Sequence, residues 1–273
     1  MRLATRDFTL RRARTLAGAV RVLAEQPGTV PLAGCTDVYV ALQFGSRPGT
    51  QYLDLTPLAS LKRITTRGDV LVIGALATYT ELQRSRLVRA RLPMLVEAAR
   101  LVGGAQIQNR GTVGGNLANA SPAGDTLPVF AAVDATVVLH GPGGERRVAF
   151  NEFYTGYRAS VRHENELIIA IEVAPVEGRQ WFRKVGTRAA QAISKVVFAG
   201  VRAASPRLAL GSVAPTVLRL TRTEQALASG ASLDAALATL AGEISPIDDL
   251  RSTADYRRTV AVNLVREFWN ATA

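Results

Sequence analysis

The sequence has few of the residues that build metal sites and covalent cross-links. Its 273 residues include one cysteine and two histidines. One cysteine cannot form an internal disulfide or ligate an iron–sulfur cluster, and two histidines cannot complete an ordinary zinc site with it. We therefore predict that the chain holds no metal of its own. Because the fold needs no oxidising compartment, we expect a cytoplasmic location.

The sequence also lacks a long apolar run and a recognisable nucleic-acid motif. No apolar run approaches the roughly 18 residues that a membrane span needs, so we predict no span. The net charge of +11 raises the question of nucleic-acid binding. The arginines, however, are spread along the whole chain, without aromatic platforms or zinc spacings. Solvated basic faces are the favoured interpretation, and attraction to an acidic partner subunit is the alternative.

The apolar spacing predicts an α+β chain with a boundary near Pro175. Helix and strand patterns alternate through the first two thirds, from "TLAGAVRVLAEQ" to "ELIIAIEVA". Beyond Pro175, "WFRKVG", "AISKVVFAGVR" and "RLALGSV" predict three successive strands, and three helical segments follow them. Strands grouped before helices indicate a separate α+β unit. The predicted domains are therefore residues 1–174 and residues 175–273.

Two glycine-bearing segments, "PLAGCTDV" and "NRGTVGGN", are the clearest candidates for a binding site. Glycine lets a backbone approach a ligand closely, and consecutive exposed amides form a nest for an anion. A helix predicted to begin near Thr36 or Asp37 would add its unpaired N–H groups. Thr36, Thr112 and Asn116 offer further donors to a diphosphate. Either segment alone is more typical of a turn, so the prediction depends on the pair.

No side chain near these segments is suited to acid–base or nucleophilic chemistry. The stretch "GTVGGNLANASPAGD" over residues 111–125 is predicted to be a loop, and Asp125 is its one carboxylate. No Walker lysine follows either glycine segment, and no three-glycine dinucleotide fingerprint is present. Cys35 has no histidine or basic cluster beside it, so we interpret it as a packed thiol. We predict no catalytic residue in this chain.

Four segments together resemble a known family. "PLAGCTDV", "IGALATYTEL", "NRGTVGGNLANASPAGDTLPVFAAVDA" and "FRKVGTRAAQAISKVV" are similar, in order and spacing, to the FAD-binding medium subunit of the molybdenum hydroxylases, which include xanthine and carbon monoxide dehydrogenases. The resemblance runs from about Phe8 to about Phe268. It implies a two-lobed FAD-binding domain of the vanillyl-alcohol-oxidase-like (PCMH) type, with lobes of about 1–55 and 56–174. A smaller C-terminal domain of the CO dehydrogenase flavoprotein type, a three-stranded sheet plus helices, follows it.

The resemblance also implies which residues contact the cofactor. Asp125 matches an acidic residue near the ribityl and ribose region, Lys184 matches a lysine that contacts FAD, and Ile168 matches an aliphatic residue packing on the flavin. Val102 is a further expected contact. The expected first pyrophosphate loop is Leu32, Ala33, Gly34, Cys35, Thr36, Asp37, Val38 and Tyr39, and the second is Thr112, Val113, Gly114, Gly115 and Asn116. The family often has glycine where this chain has Cys35, which would cost about 1 kcal/mol if the position requires a positive φ.

By the same resemblance, the chain is expected to be the FAD-carrying subunit of a heteromeric molybdenum hydroxylase. A large molybdopterin subunit would oxidise an organic substrate, and a small [2Fe–2S] subunit would pass the electrons to this FAD. The external acceptor, whether NAD, oxygen or a quinone, stays open. One alternative is a free-standing flavin reductase or oxidase. Another, from a different class, is a cofactor-free basic scaffold or nucleic-acid-binding module with the glycine segments as plain turns.

Overall fold

The computed structural model of the protein describes residues 8–46 and 49–273. Its strands there are β1 (Thr9–Arg12), β2 (Val30–Leu32), β3 (Gln51–Asp54), β4 (Ile64–Arg67), β5 (Val70–Gly74), β6 (Thr136–Gly141), β7 (Gly144–Ala149), β8 (Tyr154–Gly156), β9 (Ala159–Ser160), β10 (Leu167–Val173), β11 (Arg179–Val185), β12 (Val196–Arg202), β13 (Arg207–Gly211) and β14 (Leu218–Arg219). Its α-helices are α1 (Leu16–Glu25), α2 (Val38–Gln43), α3 (Tyr79–Arg84), α4 (Arg86–Arg91), α5 (Pro93–Leu101), α6 (Ala105–Gln108), α7 (Val113–Asn119), α8 (Leu127–Ala132), α9 (Thr221–Ala228), α10 (Leu233–Ala241) and α11 (Ala254–Ala271).

The first lobe is a small parallel sheet with one amphipathic helix against it. The strand order is β1-β3-β2, and β3 pairs in parallel with both neighbours. The hydroxyl of Thr15 accepts a hydrogen bond from the Gly18 amide and so caps the start of α1. Leu23 and Leu53 are buried in a core that also contains Val138 and Leu167 of the second lobe. The first lobe therefore packs directly against the next sheet.

The second lobe is built on a five-stranded sheet with β10 at its centre, in the order β4-β5-β10-β6-β7. The strand β10 reads "LIIAIEV" and is buried along nearly its whole length, because lobe one covers one face and helices cover the other. The pairing of β10 with β6 shifts register between Ile168 and Ala170. This irregularity lies beside the glycine segments.

The C-terminal unit is a four-stranded antiparallel sheet, β11-β12-β13-β14, with helices on both faces. Helices α5 and α8 of the second lobe contact one face, and α9 and α11 contact the other. Every residue of β12 except its last is buried, as a strand covered on two sides requires. The prediction of three strands holds for β11, β12 and β13, and the two-residue β14 extends that sheet by one. The predicted α+β class is confirmed.

The structure corrects one local prediction, the loop over residues 111–125, and confirms another, the helix that begins near Asp37. Residues 111–125 do not form a continuous loop, because Thr112 caps a helix, α7, through a hydrogen bond from the Gly115 amide. The sequence pattern does not indicate this helix, because α7 contains two adjacent glycines and glycine disfavours helices. Asp37 does precede α2, but its carboxylate makes no capping bond there. No helix in the described part of the chain is long and apolar enough to cross a membrane.

Candidate functional site

The two glycine segments meet at a cleft that consists of two joined cavities. The first cavity, of about 290 Å³, lies between the lobes. The second, of about 930 Å³, is lined by α7, by the segment after it and by residues of the C-terminal unit. The residues that line both cavities, here called the waist, are Thr36, Asp37, Tyr79, Asn116 and Asn119. The cleft can therefore hold one elongated ligand that passes through the waist.

The first glycine segment presents a row of free backbone donors to the first cavity. Among the residues that the structure describes, none accepts a hydrogen bond from the amides of residues 33–38. All six residues line the first cavity. Cys35 has φ +64°, in the left-handed region, while Asp37 is right-handed. Consecutive amides with φ values of mixed sign form an anion-binding concavity. This segment is therefore the best-formed anion site in the cleft.

Gly34 allows the two glycine segments to touch. A Cβ atom at this position would lie 1.8 Å from the carbonyl oxygen of Arg110, which belongs to the second segment. No side chain fits there, because the obstacle is backbone rather than a movable side chain. The absence of a Cβ at Gly34 thus serves the contact between the lobes.

The second glycine segment differs from the first in having its amides occupied. The amides of residues 113–116 all donate within the protein, at 2.8–3.1 Å. Their acceptors are the carbonyl oxygens of Ala77, Ala75 and Thr112 and the Thr112 hydroxyl. This segment therefore contributes shape and side-chain donors to the cleft instead of a row of free amides, which differs from the expectation that both segments form nests.

The paired glycines of α7 have different functions. A Cβ on Gly114 would lie 2.6 Å from the Cβ of Ala75, so Gly114 is needed for the packing of α7 on the end of β5. A Cβ on Gly115 would meet only the Thr112 hydroxyl oxygen, at 2.9 Å, and would otherwise enter the cavity that Gly115 lines. Asn116 lines the cleft beside it, and its Oδ1 accepts from Thr126, which orients its amide group.

The far end of the first cavity is walled mainly by apolar residues. They are Val30, Pro31, Leu55, Leu76, Leu167 and Ile168. The two charged side chains among the lining residues here are Arg162 and Glu166. None of these residues lines the second cavity, so they form the end of the cleft that lies away from it.

A chain of side-chain hydrogen bonds crosses the waist. Asn119 Nδ2 donates to Asp37 Oδ1 at 3.1 Å, and Arg158 donates from a terminal nitrogen to Asn119 Oδ1 at 2.8 Å. Tyr79 is buried at the same place, and burial, reinforced by Asp125 and Asp37, raises the pKa of its hydroxyl. The first lobe and α7 are thus joined by hydrogen bonds at the waist.

Asp125 and Lys184 pair with each other. Lys184 Nζ lies 2.6 Å from Asp125 Oδ2 and also donates to the Leu101 carbonyl at 2.9 Å. Ser194 donates to the other carboxylate oxygen at 2.5 Å. Burial raises the pKa of Asp125, although Lys184 and Ser194 both act to lower it. Asp125 lines the second cavity, whereas Lys184 lies behind it, in a separate depression.

A second charge pair, between the buried Arg257 and the partly exposed Asp249, contributes to the wall of the second cavity. Arg257 donates to Asp249 Oδ1 at 2.7 Å and to the Ser212 carbonyl at 2.9 Å. Burial acts to raise the pKa of Asp249, but hydrogen bonds from the Arg251 amide, from Arg257 and from the Ser252 amide bring it to about 2. The charges of Arg257 and Asp249 in this wall are thus paired with each other.

The structure brings most of the residues predicted as cofactor contacts into the cleft. Those lining the first cavity are Ala33, Gly34, Cys35, Thr36, Asp37, Val38, Thr112, Gly114, Gly115, Asn116 and Ile168. Val102 and Asp125 line the second. Leu32, Tyr39, Val113 and Lys184 line neither cavity. Tyr39 is 69% exposed on α2, and Val113 is fully buried in the core.

Several cleft residues carried no signal in the sequence. Tyr79, Asn119, Arg158 and Arg162 are isolated polar residues without a glycine pattern beside them, and only the fold brings them to the cleft. Cys35 is partly buried and lines the first cavity. Burial raises its pKa, so the unreactive thiol form is favoured at neutral pH.

The geometry fits a dinucleotide such as FAD. A diphosphate at the waist would meet the free amides of residues 33–38, and a ring system on each side would enter one of the two cavities. A hydroxyl and an amide group, from Thr36 and Asn116, lie at the same place. An elongated anionic ligand needs hydrogen-bond donors that no protein group already uses, and the cleft offers them. It also needs space, which the missing side chain at Gly115 leaves.

Comparisons with known protein families match nearly the whole length of the chain. Residues 6–175 match the model described as the FAD binding domain in molybdopterin dehydrogenase. Residues 178–272 match the CO dehydrogenase flavoprotein C-terminal domain.

Individual relatives and solved structures agree with these matches. The carbon monoxide dehydrogenase medium chain of Hydrogenophaga pseudoflava is 36% identical over 234 residues, which cover 80% of each chain. The xanthine dehydrogenase FAD-binding subunit of Escherichia coli O157:H7 is 32% identical over 92% of this chain and 91% of its own. A solved structure of the Hydrogenophaga pseudoflava carbon monoxide dehydrogenase superposes with a TM-score of 0.91 at 30% identity, covering 97% of this chain and 96% of that one.

Proposed function

The chain belongs to the family of FAD-binding medium subunits of the molybdopterin dehydrogenases, and we propose that it carries electrons from [2Fe–2S] clusters of a partner subunit to an external acceptor. It is the flavoprotein subunit of an oxidoreductase. On this proposal, a large molybdopterin subunit holds the organic substrate and a small subunit holds the clusters. We propose residues 1–174 as the FAD-binding domain and residues 175–273 as the C-terminal domain, with cytoplasm as the location.

The observation that carries the proposal is the row of free amides at residues 33–38, placed where the two cavities join. A diphosphate bound there would accept hydrogen bonds from these amides, for which the described part of the protein provides no acceptor. Thr36 and Asn116 add side-chain donors beside it. The carboxylate of Asp37, which also lines this part of the cleft, accepts a hydrogen bond from Asn119.

The sizes and linings of the two cavities support a proposal for the two ends of FAD. The smaller first cavity, with its apolar far end, suits adenosine, and the larger second cavity suits the three-ring flavin. On this proposal Ile168 packs on the adenosine, whereas the resemblance implies that it packs on the flavin. Val102 and Asp125 lie on the flavin side. The buried pair of Asp125 and Lys184 fixes the wall there, so Lys184 acts by holding Asp125 in place.

When bound, FAD supplies the electron-transfer chemistry, and the protein supplies binding, orientation and electrostatics. The rim of the second cavity is suited to a partner that must come close to the flavin. Exposed apolar side chains stand around it, namely Ile107, Tyr157, Ile193 and Ile247. Apolar side chains of this kind are typical of the centre of a protein interface. We propose that the [2Fe–2S] subunit docks over this rim.

Reconstitution of the complex tests the proposal. The chain is co-expressed with an iron–sulfur chain and a molybdopterin chain from the same operon, and the flavin absorbance is followed after substrate is added. We expect bleaching in the complex and none in the isolated chain. Reduction of the isolated chain at a comparable rate would establish a free-standing flavoenzyme instead. Reoxidation by NAD⁺, oxygen or a quinone, compared in the same assay, identifies the acceptor.

Cofactor analysis tests the remaining alternative. Denaturing the purified protein should release FAD, identified by chromatography of the supernatant. FMN alone, or no flavin under conditions that preserve it, would contradict the proposal. A colourless protein that bound DNA with a steep salt dependence would instead favour the basic nucleic-acid-binding module.

A further inference from the structure

Arg162 has a guanidinium group with unused donors at the far end of the first cavity. One terminal nitrogen donates to the carbonyl oxygens of His163 and Glu166, at 2.9 and 2.8 Å. Within residues 8–46 and 49–273, its Nε and other terminal nitrogen have no acceptor, and no carboxylate forms an ion pair with it. Burial lowers the pKa of Arg162, against the opposing effect of Glu166 and Glu164. A half-buried guanidinium in this position is costly unless something accepts from it.

Glu166, the neighbouring carboxylate, is fully engaged elsewhere. Arg146 donates to both of its oxygens, at 2.6 and 2.7 Å, and the His163 amide donates to Oε2 at 2.8 Å. The hydrogen bond from Arg146 lowers the pKa of Glu166. At this end of the cavity Arg162 thus has free donors, while the carboxylate of Glu166 is already paired.

The surroundings of Arg162 specify the kind of group that fits. Apolar side chains such as Leu55, Leu76 and Leu167 wall the cavity, so its occupant must be largely apolar and compact. The free donors of Arg162 require acceptor atoms at the edge of that occupant. A purine ring combines flat apolar faces with acceptor nitrogens at positions 1, 3 and 7. A second phosphate would match the charge but not the walls.

We propose that Arg162 is a specificity residue for the adenosine end of the cofactor, donating from its free nitrogens to an acceptor nitrogen of the adenine ring. The inference rests on the proposed function, which places adenosine in the first cavity. It assigns to Arg162 the selection of FAD over FMN, which lacks adenosine.

Calorimetric titrations of the full chain, freed of flavin, with FAD, ADP and FMN test the assignment. Arg162→Met should lower the affinity for FAD and ADP about tenfold, because a hydrogen bond from a charged donor is lost. The affinity for FMN should stay as in the wild type. Arg86→Met, a change of an exposed arginine outside the cleft, is the matched control and should alter none of the three. Equal losses for FMN and ADP, or no loss for ADP, would overturn the inference.

Ring analogues separate recognition from a merely structural contribution of Arg162. Among 1-deaza-, 3-deaza- and 7-deaza-ADP, one should bind the wild type about tenfold more weakly than ADP, and this difference should vanish in Arg162→Met. If all three bind the wild type as ADP does, Arg162 does not read the ring. This comparison holds even if Arg162→Met folds poorly, because its first part needs only the wild type. Failure of the wild type to bind FAD at all would instead overturn the proposed function itself.

Discussion

Lys184 Nζ and Asp125 Oδ2 lie 2.6 Å apart, and their side chains are only 6% and 9% exposed. The lysine belongs to β11 of the C-terminal sheet and the aspartate to the segment after α7. The pair therefore joins the two domains at the wall of the second cavity. Ser194, which also donates to Asp125, comes from the C-terminal side as well.

Breaking this pair should be costly. Lys184→Met leaves the carboxylate of Asp125 buried without its cation, and we expect a loss of about 3–5 kcal/mol in the free energy of unfolding. Urea denaturation measures it. Arg266→Met, which breaks the exposed pair between Arg266 and Asp234, is the control and should cost no more than about 1 kcal/mol. Similar losses in both variants would mean that burial does not determine the strength of the Asp125 pair.

Cys35 offers a route to a more stable chain. Because its φ is +64°, Cys35→Gly should relieve the strain of a side chain in the left-handed region and stabilise the fold by about 1 kcal/mol relative to Cys35→Ala. Both variants lose the thiol, so their difference isolates the backbone effect. Thermal or urea unfolding of the two proteins measures it. A Cys35→Ala protein as stable as Cys35→Gly would contradict the assigned strain.

Gly115 and Gly114 should respond differently to a side chain. Gly115→Val places its side chain in the cavity, so flavin should be lost while the domains stay folded. Gly114→Ala, its neighbour in α7, meets Ala75 and should lower the midpoint of thermal unfolding. Flavin content per chain and the unfolding midpoint, measured for both, separate the effects. Full flavin retention in Gly115→Val would exclude the second glycine segment from the binding site.

Asp249 should make stability depend on pH in the acid range. Its folded-state pKa of about 2 lies below the ordinary value of 3.8, so its stabilising contribution is complete above pH 3.8 and is lost as the pH falls towards 2. The difference in unfolding free energy between wild type and Asp249→Asn should therefore be constant near neutrality and shrink in acid. Asp255→Asn, on an exposed carboxylate, controls for the change in net charge. A difference that grew in acid would contradict the assignment.

The sequence is most informative at glycine positions where a side chain would not fit. Gly34 and Gly115 were predicted in the binding site because glycine has a physical use at a close approach, and both line the cleft. The strands of the C-terminal sheet were predicted because β-branched runs in β12 suit a buried strand. Helix α7 was missed, because its glycines oppose a helix that tertiary hydrogen bonds to Ala75 and Ala77 hold in place.

Residues that act through distant partners could not be predicted from local pattern. Arg162 and Asn119 have no repeating spacing that marks them, and their importance depends on the lobe that closes over them. The free amides of the first segment and the occupied amides of the second could not be told apart either. That difference comes from α7 docking on β5, a contact between elements far apart in the chain.

Helices α5 and α8 pack on the four-stranded sheet, and one hydrophobic core contains residues of both helices, of that sheet and of the five-stranded sheet. Phe182 and Val197 of the C-terminal sheet are buried in the same core as Ile73 and Phe130. The boundary near Pro175 therefore separates two sequence families without separating two units of folding. A fragment cut there would expose this core to water, so the two halves should gain their stability together and unfold in a single cooperative transition.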